Sequence, residues 1–393
     1  MRRLGSLVMR AAEAARVPAG AALAVDREAF SAYVTHALSS HPAIEIVREA
    51  VPRVPEGLDG PVIVATGPLT SDELSRDIAA LVGAQHLYFY DAISPIVLAD
   101  TIDRSKVFRA SRWGRSLRAG DACGADDGEG DYLNCPLSGD EYTRFYEALV
   151  AAERAPLHEF DDPRFFEGCL PIEVMASRGV DTLRFGPMKP VGLLDPRTGR
   201  EPYAAVQLRQ DNLAGDHYSL VGFQTQMKWG EQARVLRLIP GLESAEFVRF
   251  GMIHRNTYIN GPTVLQPTWQ TKFRPDLLFA GQISGVEGYV ESAASGLIAG
   301  RTAVALVRGL TPAAPPRETA IGALGYYVAN ANPRGYQPTN ITFGIMPPLA
   351  SSPDARVPKK KGDRKLAYAA RALDALEAWT RAAGIEPVAQ PTA

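Results

Sequence analysis

Along residues 276–309, DLLFAGQISGVEGYVESAASGLIAGRTAVALVRG, the rhythm of apolar positions changes once, and the change predicts a strand, a loop and a helix in succession. Leu277, Leu278, Phe279 and Ala280 are a continuous apolar run closed by Gly281, too short for a helix and suited to a buried strand. Residues 291–308 are rich in Ala and Leu without a proline, which predicts a long helix. The N-terminal part repeats this alternation. Residues 3–16 place Leu4, Leu7, Val8 and Ala11 on one helical face and stop before Pro18. Next come a strand over 22–25, a helix over 27–39, a strand over 44–47, and a buried strand of Val62, Ile63 and Val64. From 71 to about 250 the pattern turns to strands, turns and aromatics, and after that the first pattern returns. The expected architecture is α/β: a layered domain in two parts, 1–70 and 251–350, a second domain inserted over 71–250, and a basic tail with a C-terminal helix over 351–393.

The loop after the strand at 277–280 carries Gly281, Gly285 and Gly288. Glycine lets a backbone pass close to a ligand, and a helix N-terminus offers N–H groups and a positive dipole end to an anion such as a pyrophosphate. The plain alternative is a tight turn whose small residues serve packing. Ala65, Thr66 and Gly67 close the strand at 62–64 in a similar way, either as room for a bulky ligand or as a simple strand end.

Composition narrows the partners. An apolar content of 46% over 393 residues suffices for two cores, and a net charge of −2 excludes a globally basic nucleic-acid binder, so any RNA contact must be local. Lys359, Lys360, Lys361, Arg364 and Lys365 form the dense basic run, either a solvated face or a collector of phosphates. Arg10 interrupts the N-terminal apolar run, and no stretch approaches ~20 uninterrupted apolar residues, so neither export nor a membrane span is expected. Three cysteines without metal-type spacing fit a reducing cytosol, and no metal site is expected. Cys123 lies in an acidic, glycine-rich loop; Cys135 and Cys169 read, on residue type alone, as small buried groups. Lys189, between two prolines in FGPMKPVG, is a solvated lysine or one aimed at a phosphate or carboxylate. Lys228 beside Trp229 has the composition that stacks a base and holds its phosphate, and equally that of a half-buried tryptophan. Asp91 in LYFYDAISPIV either caps a turn or orients a cofactor edge, and His254 and Arg255 precede the glycine-loop strand.

The string AGQISGVEGYVESAASGLIAG resembles the flavin-binding motif of the TrmFO family, folate- and FAD-dependent tRNA uracil-5-methyltransferases related to the GidA flavoproteins. The likeness continues through VPAGAALAVDREAF, VIVATGPLTSDEL, FFEGCLPIEVMASRG, LRFGPMKPVGL, VGFQTQMKWGEQ and QPTNITFG, and covers nearly the whole chain. It implies a GidA-like, Rossmann-type FAD-binding domain with an inserted α+β domain. It also implies a cytoplasmic enzyme that makes ribothymidine at the T-loop uridine of tRNA from methylenetetrahydrofolate, reduced FAD and NAD(P)H; the oligomeric state stays open. Carried onto this chain, the flavin contacts are Gly281, Gln282, Gly285, Val286, Glu287, Gly288 and Tyr289, with Thr66 and Gly67 on the adenine side. Tyr289 would stack on the isoalloxazine, Glu287 would bond ribityl or ring atoms, and the N–H groups of Gly288 and Tyr289 would face reduced flavin. FFEGC matches the segment whose cysteine attacks the base, which makes Cys169 the nucleophile that adds to C6 of uracil, with Arg178 or Lys189 to lower its pKa. Family members begin with a strand and a G-x-G-x-x-G turn, followed by a second cysteine, and neither is in this sequence. The FAD domain is therefore expected to be N-terminally incomplete. A second class of function follows from that: a catalytically defective homologue that binds tRNA, or an inert remnant.

Overall fold

The computed structural model describes residues 1–20, 22–83, 87–114, 130–156, 165, 170–350 and 357–384; the side chains of 87–91, His254 and Arg255 lie outside that set. The described chain forms two compact units. The first holds residues 1–9, 46–88 and 256–393, the second residues 10–45 and 89–255.

In the first unit, Val62–Val64 and Leu277–Phe279 pair in parallel, in the register Val62 with Leu277 and Val64 with Phe279. Leu277, Leu278 and Phe279 are fully buried, as a continuous apolar run in a covered parallel strand requires. Around the pair pack the helices Asp72–Val82, Tyr289–Val307, Ala320–Asn330 and Lys361–Ala382, with Ile78, Trp269, Ile298, Leu324 and Leu376 in one core. The helix Tyr289–Val307 is long and apolar enough to cross a membrane by length and composition, but it buries Ala294, Ile298 and Ala299 in that core. The C-terminal helix is part of this unit, since Leu376 joins the core and Arg371 donates to the carbonyls of Pro347 and Pro348.

The second unit is a six-stranded antiparallel sheet in the order 247–249, 96–98, 217–220, 204–210, 132–137, 108–109. One face carries Val97, Leu133, Cys135, Val206, Leu208 and Leu220 into a core with Tyr142, Phe145 and Leu149 of the helix Gly139–Val150. That helix starts where the sequence codes a capping box, Ser138 with Glu141. The helices Ile172–Ala176 and Trp229–Leu236 bury Ile172, Val235 and Leu236 in the same core.

Three early expectations change. Residues 3–16 are not one helix: Gly5, left-handed at φ 72°, ends a short turn at Arg2–Leu4 and a helix restarts at Leu7–Ala14. Residues 44–47 form no strand; Ile44, Ile46 and Val47 are exposed, and without a strand to pair with, an apolar alternation gains nothing from extension. Residues 10–45 group with the second unit rather than with 46–70. The tether is polar: Tyr132 donates to Ala19 O at 2.7 Å, Asp131 accepts from Gly20 N at 2.8 Å, and Asp26, which caps the helix Arg27–Ser39, also accepts from Leu213 N at 2.8 Å.

Candidate functional site

The carboxyl ends of the two parallel strands bring two predicted turns side by side. Ala280 N donates to Val64 O at 3.0 Å, so Ala65, Thr66 and Gly67 emerge next to Gly281 and Gln282. Gly67 and Gly281 both have positive φ, 74° and 75°. A side-chain carbon built on Gly67 would meet nothing within 4 Å, and one on Gly281 only Ser292 Cβ at 4.0 Å. Open backbone above the carboxyl ends of parallel strands is the usual crevice for a cofactor in an α/β sheet. Thr66 is exposed at this crevice, which leaves room for a flat ring, and Tyr289, the first residue of the following helix, is 95% exposed.

The rest of the loop is closed on itself. Gly281 N donates to Ser295 Oγ at 2.7 Å. Gln282 Nε2 donates to both carboxylate oxygens of Glu287 at 3.0 and 2.9 Å, and Glu287 is nearly buried. Val286 is fully buried and bridges to Thr339. At Gly285 (φ 86°) a Cβ would lie 2.3 Å from the hydroxyl of the buried Tyr336, so this glycine serves packing. The helix start is not an open anion seat. Glu291 folds back over Gly288, where a Cβ would fall 2.4 Å from its Oε2, and its Oε1 accepts from Ile341 N at 3.2 Å. A carboxylate therefore takes the place expected for a pyrophosphate.

The second unit holds a cavity of about 400 Å³, mostly apolar, lined by Ala155, Gln226, Met227, Trp229, Gly251 and Ile253 among others. Trp229 is 60% exposed and stacks on Phe250 with ring centroids 6.1 Å apart; Phe250 in turn stacks on Phe247 at 5.2 Å. Lys228, also at the cavity, donates to Glu153 at 2.7 Å, an exposed pair that raises the lysine pKa. Its charge is thus engaged by Glu153, and Trp229 is an exposed aromatic ring in the cavity lining.

Beneath the cavity lies a buried polar network. The Glu173 carboxylate, fully buried, accepts from Thr225 Oγ1 at 2.9 Å and from Gln226 N at 2.6 Å, and burial raises its pKa. Gln232, also fully buried, donates to Met227 O at 2.7 Å and Gly251 O at 2.9 Å and accepts from Gly251 N at 2.7 Å. Nothing in the spacing of Glu173, Thr225, Gln232 and Gly251 along the chain announces this arrangement.

Of the other candidates, Arg178 is exposed and Lys189 half-buried, and neither lines the cavity. Lys359, Lys360 and Lys361 are exposed at the start of the C-terminal helix. Cys135 is fully buried, which pushes its thiol far up and leaves it inert. Cys123 and Cys169 lie outside the described residues. So do the side chains of Asp91, in the strand Leu87–Ala92, and of His254 and Arg255, in Ile253–Tyr258.

The family model of glucose inhibited division protein A, GidA, matches residues 1–311. Three relatives carry the name methylenetetrahydrofolate–tRNA-(uracil-5-)-methyltransferase TrmFO. That of Moorella thermoacetica is 57% identical over 374 residues, covering 95% of this chain and 81% of its own. That of Desulforudis audaxviator is 56% identical over 379 residues, covering 96% and 82%, and that of Bacillus cereus 53% identical over 376 residues, also covering 96% and 82%. Among solved structures, Aquifex aeolicus GidA superposes with a TM-score of 0.56 at 18% identity; the match covers 80% of this chain, which spans 55% of that one.

Proposed function

Because the chain belongs to the GidA family, with TrmFO enzymes as close relatives, we propose that it is a folate-dependent tRNA methyltransferase acting at C5 of uracil. The one-carbon unit comes from methylenetetrahydrofolate. The geometry that carries the reading is the meeting of Gly67 and Gly281 at the ends of the parallel strand pair, with Tyr289 exposed at the start of the helix that follows the glycine loop. When bound there, FAD supplies the two-electron chemistry that turns a methylene unit into a methyl group. Gly281 and the Tyr289 ring are the residues that would hold its isoalloxazine end, with Thr66 and Gly67 toward its adenine side.

The finer assignments follow from the same reading. NAD(P)H supplies the reducing equivalents, the target is the T-loop uridine, and the setting is the cytoplasm. Cys169 is the nucleophile: its thiolate adds to C6 of uracil, C5 becomes the carbon nucleophile that takes the one-carbon unit, and loss of the C5 proton with elimination of the thiolate restores the C5–C6 double bond. Trp229 stacks on a base, with Met227 and Ile253 giving the cavity beside it an apolar lining. The exposed lysines 359–361 gather tRNA phosphates.

The test is formation of ribothymidine in an unmodified tRNA transcript, with FAD, NAD(P)H and methylenetetrahydrofolate present, read by nucleoside mass spectrometry alongside flavin absorbance. Ribothymidine at the T-loop position is expected. A chain that binds flavin and tRNA without making it would replace this reading with that of a tRNA-binding homologue.

A further inference from the structure

Glu173 is unusual in the second unit. It is fully buried, and it forms no salt bridge among the described residues. Arg154 acts on it only at a distance, and burial dominates its ionisation. A buried carboxylate is costly unless its oxygens are satisfied, so the groups that satisfy it are tied to it.

What it holds is the turn that leads into the cavity wall. One oxygen accepts from the backbone of Gln226, the other from the hydroxyl of Thr225. That hydroxyl accepts in turn from Met227 N at 3.0 Å, so its single proton points to the carboxylate. Ile172 N donates to Gln224 O at 2.7 Å, and Ala155 and Gln226 exchange bonds of 2.7 and 2.8 Å. The turn is thereby docked on the helix Ile172–Ala176 on one side and on residue 155 on the other. There is no slack behind it: a Cβ at Gly251 would lie 2.5 Å from Thr225 Cγ2 and 2.7 Å from Ile93 O. Lys228 and Trp229 follow the turn directly and open the helix Trp229–Leu236, so the turn places the backbone from which the indole projects onto Phe250.

We propose that Glu173 is a positioning residue for base recognition: by bonding Thr225 and Gln226 together it fixes the turn on the helix Ile172–Ala176 and so aims Trp229 at the nucleotide. This rests on the reading of Trp229 as a base-stacking residue. Glu173 touches no substrate. It acts through the turn, and a neutral amide in its place would present a donor to groups that already donate.

The experiment titrates a fluorescent tRNA T-arm hairpin against the full chain by anisotropy, well below the melting temperature. The chains compared are wild type, Trp229→Ala, Glu173→Gln, Thr225→Val, Thr225→Ser, and the Trp229→Ala/Glu173→Gln double variant. Trp229→Ala, Glu173→Gln and Thr225→Val are each expected to bind about tenfold more weakly. Thr225→Ser, which keeps the hydroxyl, is expected to bind as wild type. The double variant is expected to bind no worse than Trp229→Ala, because both changes act through one ring. A Glu173→Gln chain that binds as wild type while Trp229→Ala is weakened overturns the positioning role. If Trp229→Ala itself binds as wild type, the base-stacking reading fails, and the positioning role with it. Should Glu173→Gln not fold, Thr225→Val against Thr225→Ser decides the matter alone.

Discussion

The proposed seat in the first unit and the proposed cavity site in the second are built by opposite means. The seat is backbone: two strand ends, two glycines with open space above them, and side chains such as Gln282 and Glu287 spent on closing the loop. The cavity is side chains: an exposed tryptophan on an aromatic stack, backed by carboxylate and carboxamides satisfied by the turn they support. A backbone seat suits a resident cofactor, since it is rigid and indifferent to side-chain rotamers. A side-chain wall suits a substrate that must come and go.

The largest expected effect separates chemistry from both. Cys169→Ala should cut ribothymidine formation by more than about a thousandfold, as removal of a covalent nucleophile does. Flavin absorbance and T-arm binding should stay at wild-type levels. Substantial residual methylation would return Cys169 to the structural role that residue type alone suggests. Next comes stability of the seat. Gly285→Ala adds a Cβ 2.3 Å from the Tyr336 hydroxyl in a left-handed backbone, so denaturant unfolding should show a loss of about 3 kcal/mol. Gly281→Ala, where space is open, should lose about 1 kcal/mol from strain alone but bind flavin poorly. Equal losses at the two glycines would erase the distinction between a glycine kept for packing and one kept for a ligand.

That distinction also marks what was legible in the sequence. The strands at 62–64 and 277–279 were readable because short unbroken apolar runs closed by small residues suit buried strands, and the helix at 27–39 emerged from the alternation of elements around it, although its Asp26 cap went unread. The glycine loop was readable as a strand-to-helix turn, while its use, ligand seat or packing, was left open by the residues alone. The strand expected at 44–47 failed because alternation needs a partner strand, and nothing local supplies one. Glu291 closing the helix start, and Tyr336 filling the space beside Gly285, depend on where distant residues arrive. The Glu173 network is hidden more deeply still. Its members come from separate elements, and each taken alone is an ordinary polar residue.

A smaller effect tests the basic run in the first unit. Lys360 stands at the N-cap position of the C-terminal helix without a side-chain capping bond and Lys361 opens the helix, where the dipole disfavours positive charge. Changing Lys359, Lys360 and Lys361 to Gln should therefore leave the melting temperature unchanged or slightly raised. T-arm binding should weaken severalfold, and the slope of its salt dependence should fall by about 0.7 to 0.9 for each phosphate that the lysines no longer neutralise. An unchanged slope would make the run a solvated face.

The smallest effect is a trend with pH, and its sign sets the cavity apart from the seat. Burial raises the Glu173 pKa above its ordinary 4.5, so the folded chain holds this proton more tightly than the unfolded one. The favourable contribution is complete below 4.5 and is lost as pH climbs through the raised folded value. Above that range the carboxylate is retained at a cost to stability. Measured from pH 4 upward, the melting temperature of Glu173→Gln should gain on wild type and then run parallel to it, even as its T-arm binding stays weaker. A variant that gains stability where it loses binding is what a group kept for aim should give. If stability and binding fall together at every pH, Glu173 is simply part of the core.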